Sequence, residues 1–194
     1  MKVKQLSYHN QQKTLFSDIS FDSSEDHLIV IEGKNGSGKS TLLKICLGLL
    51  KPTRGQVSLS QTVGYVPDSS ELYFVGMSPK VFFHFLRANL HLEQASFEQK
   101  LAGLIETFSF HDRLMTSPIQ SLSLGEKKKV MLMAAFLLDP PLYLMDEPFS
   151  GLDQASLRAL SDLIKQELQL GKEFVIVTHG YQEYLPQSGR VISL

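Results

Sequence analysis

The stretch GKNGSGKST, residues 33–41, decides the fold. It follows an apolar run, Leu28-Ile29-Val30-Ile31, that reads as a buried strand, and it leads into a helix-compatible stretch over 40–50. Strand, glycine-rich loop and helix in that order make G-x-x-x-x-G-K-S/T a phosphate-binding loop rather than a chance turn. Gly33, Gly36 and Gly38 let the backbone wrap closely around an anion. The exposed N–H groups and the helix N-terminus then point at phosphate. Lys39 supplies a mobile point charge for the β- and γ-phosphates, and the Ser40 hydroxyl is placed to ligate Mg²⁺.

The bulk properties bound the rest. A chain of 194 residues, 43% hydrophobic and 20% charged, fits one ordinary globular domain with a full core. Its formal net charge of −1 offers no general affinity for nucleic acid or acidic membrane. The single cysteine, Cys46, sits among Leu42, Leu43, Ile45 and Leu49 and reads as a buried thiol. One cysteine permits no internal disulfide, which suits a reducing cytoplasm. The opening MKVKQLSYHN has no apolar segment of the signal-peptide kind. The longest greasy stretch, 130–138, is far too short to cross a bilayer, so work at a membrane requires a partner.

Along the chain, 2–8 and 14–22 read as strands joined by a polar turn over 9–13. Tyr8, at the end of the first strand, can either pack locally or stack on a base. Further strands are expected at 28–32, 56–59 and 62–66, then a loop over 67–78. Ser78-Pro79 is a good helix start for 79–90, with Phe82, Phe85 and Leu86 on one face, and a second helix spans about 95–108. Tyr73, Phe74, Phe82, Phe83 and Phe85 either form the core of a small helical subdomain or line a groove for a partner's helix. An apolar helix runs to 138, and Asp153 caps a helix over 154–170 with a stripe of Leu157, Leu160, Ile164 and Leu168. Buried strands at 142–145 and 174–178 and an edge strand at 190–193 complete an α/β pattern with a largely parallel sheet.

The strand Leu142-Tyr-Leu-Met ends in Asp146-Glu147. In a phosphate-loop fold, an acid at the end of the neighbouring strand faces the Mg²⁺ held by the loop's serine. A second carboxylate one residue on can polarise an attacking water.

With these residues in place, the chain resembles the nucleotide-binding domain of an ATP-binding-cassette (ABC) ATPase over essentially its whole length. The motifs fall in the family's order: GKNGSGKST (33–41), VGYVPD (63–68), LSLGE (122–126), LYLMDEP (142–148), SGLD (150–153) and FVIVTHG (174–180). The resemblance implies an α/β phosphate-loop fold of ABC type: a mostly parallel core sheet flanked by helices, an N-terminal antiparallel β portion and a small helical subdomain. The single domain over 1–194 would divide into a core of about 1–67 and 139–194 and a helical part of about 70–138. It implies that Tyr8 stacks on adenine and that Gly33, Asn35, Gly36, Ser37, Gly38, Lys39, Ser40 and Thr41 bind the nucleotide. Asp146, with Ser40, would hold Mg²⁺; Glu147 would be the general base, with Lys39 and His179 as the other catalytic groups. Ser123 and Gly125 would close over the ATP of a second copy packed head to tail, and Asp153 would lie in the loop that crosses to it. The implied activity is Mg²⁺-dependent ATP hydrolysis, the implied partners a second ATPase subunit (a homodimer) and a separately encoded membrane permease, and the implied location the cytoplasmic face of a membrane. A soluble ABC ATPase acting on nucleic acid, ribosomes or a scaffold is the alternative, disfavoured by the near-neutral charge.

Three positions depart from the family's pattern. Asp68 stands where glutamine is usual, which exchanges a neutral donor and acceptor for a charged acceptor beside phosphate, as a metal ligand or a brake on closure. Leu124 replaces a glycine within LSLGE, and Asp26-His27 replaces the glycine usual before the strand into the loop. Lys127-Lys128-Lys129 could serve as a nucleic-acid patch, but three lysines at a helix start are more often solvated or hold an acidic interface.

Overall fold

The computed structural model describes residues 1–10, 13–68 and 76–194. Five strands form one sheet: β3 (Leu28–Glu32), β5 (Val63–Val66), β6 (Leu142–Asp146), β7 (Glu173–Thr178) and β8 (Arg190–Ser193), in the order β5-β6-β7-β3-β8. All four pairings are parallel. Their carboxyl ends therefore share one edge, which is where such sheets place their ligands. A separate antiparallel sheet, β2-β1-β4, is built from β1 (Lys2–His9), β2 (Thr14–Asp22) and β4 (Arg54–Ser58).

The central strands are apolar at nearly every position because both faces are covered. Side chains alternate between two cores, as a period of two requires. Leu28, Val30, Tyr143, Met145, Phe174 and Ile176 enter one; Ile29, Ile31, Leu142, Leu144, Val175 and Val177 enter the other. Tyr143 stacks on Phe174 with centroids 4.6 Å apart and planes 9° from parallel. The second core also takes Val3, Leu6, Phe16 and Phe21 of the antiparallel sheet.

The helices are α1 (Ser23–Asp26), α2 (Lys39–Cys46), α3 (Pro79–Asn89), α4 (Gln94–Thr107), α5 (Asp112–Thr116), α6 (Leu124–Leu138) and α7 (Gln154–Gln169). Sequence boundaries shift by one or two residues at most elements. Two helices were not anticipated, α1 and α5, which at four and five residues are too short to show a period. The expected helix over 40–50 stops at Cys46, because Gly48 takes φ +73° and turns the chain out. On α3 the buried positions are Phe82 and Phe83, with Leu86 packed beside them, while Phe85 is 54% exposed. The expected Phe82–Phe85–Leu86 face is thus rotated towards the side where α5 and α6 contact the helix. Tyr73 and Phe74 lie outside the described residues.

The lysine run also reads differently in three dimensions. Helix α6 packs against β5, α3 and α4, and Lys128 and Lys129 are buried with it rather than solvated. Burial is tolerable because each ammonium reaches oxygen. Lys129 Nζ donates to the Phe108 carbonyl at 3.1 Å and to Asp153 Oδ2 at 2.7 Å. That pair holds Asp153 well below the usual carboxylate range while Asp153 caps α7 through the Ser156 N–H. Among the described residues, no helix is long and apolar enough to cross a membrane.

Cys46 is buried, and desolvation pushes its thiol up to about 12. The native protein is expected to leave a disulfide reagent such as dithionitrobenzoate unreacted at pH 8, with labelling only after denaturant unfolding. Rapid stoichiometric labelling of native protein would contradict this packing.

Candidate nucleotide site

The loop after β3 is held in shape from several sides. Gly38 is the N-cap of α2 at φ +107°, and a Cβ there would stand 2.9 Å from Leu15 Cβ and 3.1 Å from the Phe16 ring. Only glycine meets both demands. Lys39 folds back over the loop, its Nζ donating to the Gly33 carbonyl at 2.8 Å and the Lys34 carbonyl at 3.3 Å. The same ammonium lies 3.9 Å from Glu147 Oε1.

The shared edge of the sheet brings the other groups to this loop. A cleft of about 630 Å³ is lined by Asn35, Gly36, Gly38, Lys39, Ser40 and Thr41 together with Asp68, Asp146, Glu147 and His179. Asn10, Lys13 and Ser150 also line it. Asn10 and Lys13 were not singled out in sequence, and Ser150 only as the first residue of SGLD. Lys13 sits in a polar turn with no periodic signal, yet its Nζ donates to the Gly36 carbonyl at 3.1 Å.

Asp146 is 1% exposed, and neither carboxylate oxygen has a hydrogen-bond partner. Burial pushes its pKa up, and the charges of Asp68 and Glu147 add to that rise. The nearby Ser40 hydroxyl opposes it, short of a hydrogen bond of ordinary geometry, as does Lys128. Two orphaned anionic oxygens beside a serine hydroxyl fit a hard divalent cation.

Glu147 follows immediately, in the left-handed region at φ +47°, a conformation that costs a non-glycine residue on the order of 1 kcal/mol. Its N–H is bonded to the Val177 carbonyl at 2.9 Å, which ties it to the end of β7. Two residues beyond Val177, His179 Nδ1 lies 2.7 Å from Glu147 Oε1. Glu147 Oε2 is buried with no protein partner. One carboxylate oxygen is thus engaged by histidine, and the other is enclosed without a protein partner.

Gly33 and Ser37 belong to the loop without lining the cleft, the Ser37 hydroxyl being buried, and three further predicted groups lie elsewhere. Tyr8 lies outside this cleft; it is partly buried, with its ring 6.3 Å from Phe16. Since Phe16 is also what a Gly38 side chain would strike, Tyr8 stands one ring beyond the loop. Ser123 and Gly125 open α6 at the surface. Ser123 is exposed, and its Oγ accepts from the Glu126 N–H at 3.3 Å while its own N–H donates to Glu126 Oε2 at 2.7 Å. This capping box leaves the hydroxyl hydrogen to donate outward. A Cβ at Gly125 would stand 2.3 Å from the Gly151 carbonyl, so that glycine is demanded by the approach of the 150–153 segment. Leu124 beside it is 61% exposed.

Comparison with known proteins identifies the family. A family model described as "ABC transporter" matches residues 16–150. The uncharacterized ABC transporter ATP-binding protein YthP of Bacillus subtilis is 31% identical over 180 residues, covering 91% of this chain and 74% of that one. A solved ATP-binding subunit of an ABC transporter superposes with a TM-score of 0.81 at 30% identity, covering 92% of this chain and 78% of that one. A cassette solved as a dimer in a post-hydrolysis state with ADP and phosphate shares the fold, with a TM-score of 0.77 at 23% identity, covering 100% of this chain and 93% of that one. The chain belongs to the ABC transporter family, as one of its ATP-binding subunits.

Proposed function

We propose that this subunit hydrolyses ATP with Mg²⁺, that two copies close over the nucleotide, and that closure drives a separately encoded membrane permease. The observation that carries the reading is the 2.7 Å contact between His179 Nδ1 and Glu147 Oε1, opposite the loop of Lys39 and Ser40. Glu147 acts as general base, taking a proton from the attacking water on a carboxylate whose Oε1 is held by His179. His179 fixes the orientation of that carboxylate and meets the γ-phosphate. Lys39 leaves its loop carbonyls for the β- and γ-phosphates, and backbone N–H groups of 36–41 cradle the anion. Asp146 and Ser40 hold Mg²⁺, which when bound neutralises charge on the β- and γ-phosphates. The base stacks on Tyr8, in line beyond Phe16.

The second copy supplies Ser123, whose outward hydroxyl and helix N-terminus form an anion site that its own chain does not use. The helical part, about 70–138, receives the permease. There a groove lined by Phe83, Phe97, Leu101, Ile105 and Met115, with Lys80, Arg87, Glu98 and Asp112 as its charged lining, suits an amphipathic helix. The location that follows is the cytoplasmic face of a membrane.

Glu147→Gln is expected to bind ATP and accumulate as a dimer on size-exclusion chromatography, whereas Lys39→Ala stays monomeric. A Glu147→Gln protein that remains monomeric at saturating ATP would count against the shared site. His179→Ala should lower kcat by about 10²-fold or more while ATP binding by equilibrium fluorescence changes little. ATPase stimulation by a co-purifying multi-span membrane protein is the expected signature of transport; stimulation by nucleic acid or ribosomes in its place would overturn the assignment.

A further inference from the structure

Lys128 lies in the second turn of α6 with no solvent exposure, yet no motif assigns it a role. Its Nζ donates to the Pro67 and Asp146 carbonyls, each at 3.1 Å, and lies 3.9 Å from Asp68 Oδ1. Pro67 follows β5 and Asp146 ends β6, so one ammonium joins the carboxyl ends of two neighbouring strands. Two carbonyls satisfy two of its N–H groups but supply no counter-charge, and a buried ammonium needs one.

The surrounding carboxylates form a small electrostatic system. Lys39 faces Glu147 at 3.9 Å, and Lys128 faces Asp68 at 3.9 Å. Asp146, between them in the same cleft, keeps two unpartnered oxygens. An acid at position 68 by itself would add repulsion beside a triphosphate, and Lys128 stands where it offsets that charge from below.

We propose that Lys128 is a positioning residue that balances Asp68, fastens the 67–68 backbone to the end of β6, and so sets how much divalent charge the nucleotide site demands. The proposal rests on the nucleotide-site reading above. Its consequence is a pair of opposite signs. Without Lys128 the cleft is more negative, so it attracts Mg²⁺ more strongly and metal-free nucleotide less. Without the Asp68 charge, Lys128 keeps only the more distant charges of Asp146 and Glu147, the cleft is less negative, and both effects reverse. A lysine that merely supports packing gives no such inversion.

The test is equilibrium binding of trinitrophenyl-ATP to the full chain, titrated with MgCl₂ at constant ionic strength and repeated in EDTA. Lys128→Gln is expected to lower the Mg²⁺ midpoint about three- to tenfold and weaken binding in EDTA; Asp68→Asn is expected to do the reverse by a similar factor. The double variant should return to within about twofold of the parent, the signature of direct coupling. Single variants that shift the midpoint the same way, or not at all, overturn the proposal. If Lys128→Gln lacks a cooperative unfolding transition, Asp68→Asn decides alone, and an unchanged midpoint refutes the pair. Lys39→Ala serves as the control: nucleotide binding that survives it indicts the site reading, whereas binding lost there with no opposite shifts at 68 and 128 indicts only this inference.

Discussion

Parallel pairing of β5, β6, β7 and β3 is the constraint on which the site depends. Parallel strands start and stop together, so the segments that leave their carboxyl ends converge whatever their separation in sequence. The phosphate loop leaves β3, Asp68 follows β5, Asp146-Glu147 closes β6 and His179 follows β7. The bond from the Glu147 N–H to the Val177 carbonyl continues the sheet ladder one step past the strand and delivers the carboxylate to the histidine. A slip of one residue between β6 and β7 would turn Asp146 away and break that delivery.

The same convergence gathers like charge. Three carboxylates, Asp68, Asp146 and Glu147, share one cleft, and Asp146 is almost wholly removed from water that would screen it. Burial already raises the Asp146 pKa, and its neighbours raise it further. Such a cleft asks for cations from every available direction: Lys39 from the loop, Lys128 from beneath, and a divalent ion at the orphaned oxygens. Helix α6 ties this region to the surface, since Lys128 and the exposed Ser123 cap lie within two turns of each other. Gly125 keeps that helix tip in contact with Gly151, so the segments expected to meet a second subunit are braced against one another within one chain.

Local physics made much of this legible before any coordinates. GKNGSGKST announces itself because glycine spacing, lysine and a flanking strand and helix are all local requirements. The strand ending in Asp146-Glu147 is legible for the same reason, as are the caps at Ser78 and Asp153, each a short polar residue ahead of an apolar period. Motif order along the chain was enough to name the family, and the strands followed from apolar runs and turn residues to within one or two residues.

Tertiary structure decided what depends on neighbours distant in sequence. Lys128 and Lys129 look like solvated charges because α6 is apolar on all sides only once the sheet and α3–α4 enclose it. Phe85 looks like core until the packing of α5 and α6 rotates the buried face to Phe82 and Phe83. Lys13 joins the cleft only because β2 is laid against the loop at Leu15 and Phe16. Sequence by itself settled which chemistry the chain carries, since that is written in residue type and short spacing. Which charges are buried, and which of them face one another, came only from the folded sheet, because Coulomb interaction depends on separation through space and on the solvent that packing removes.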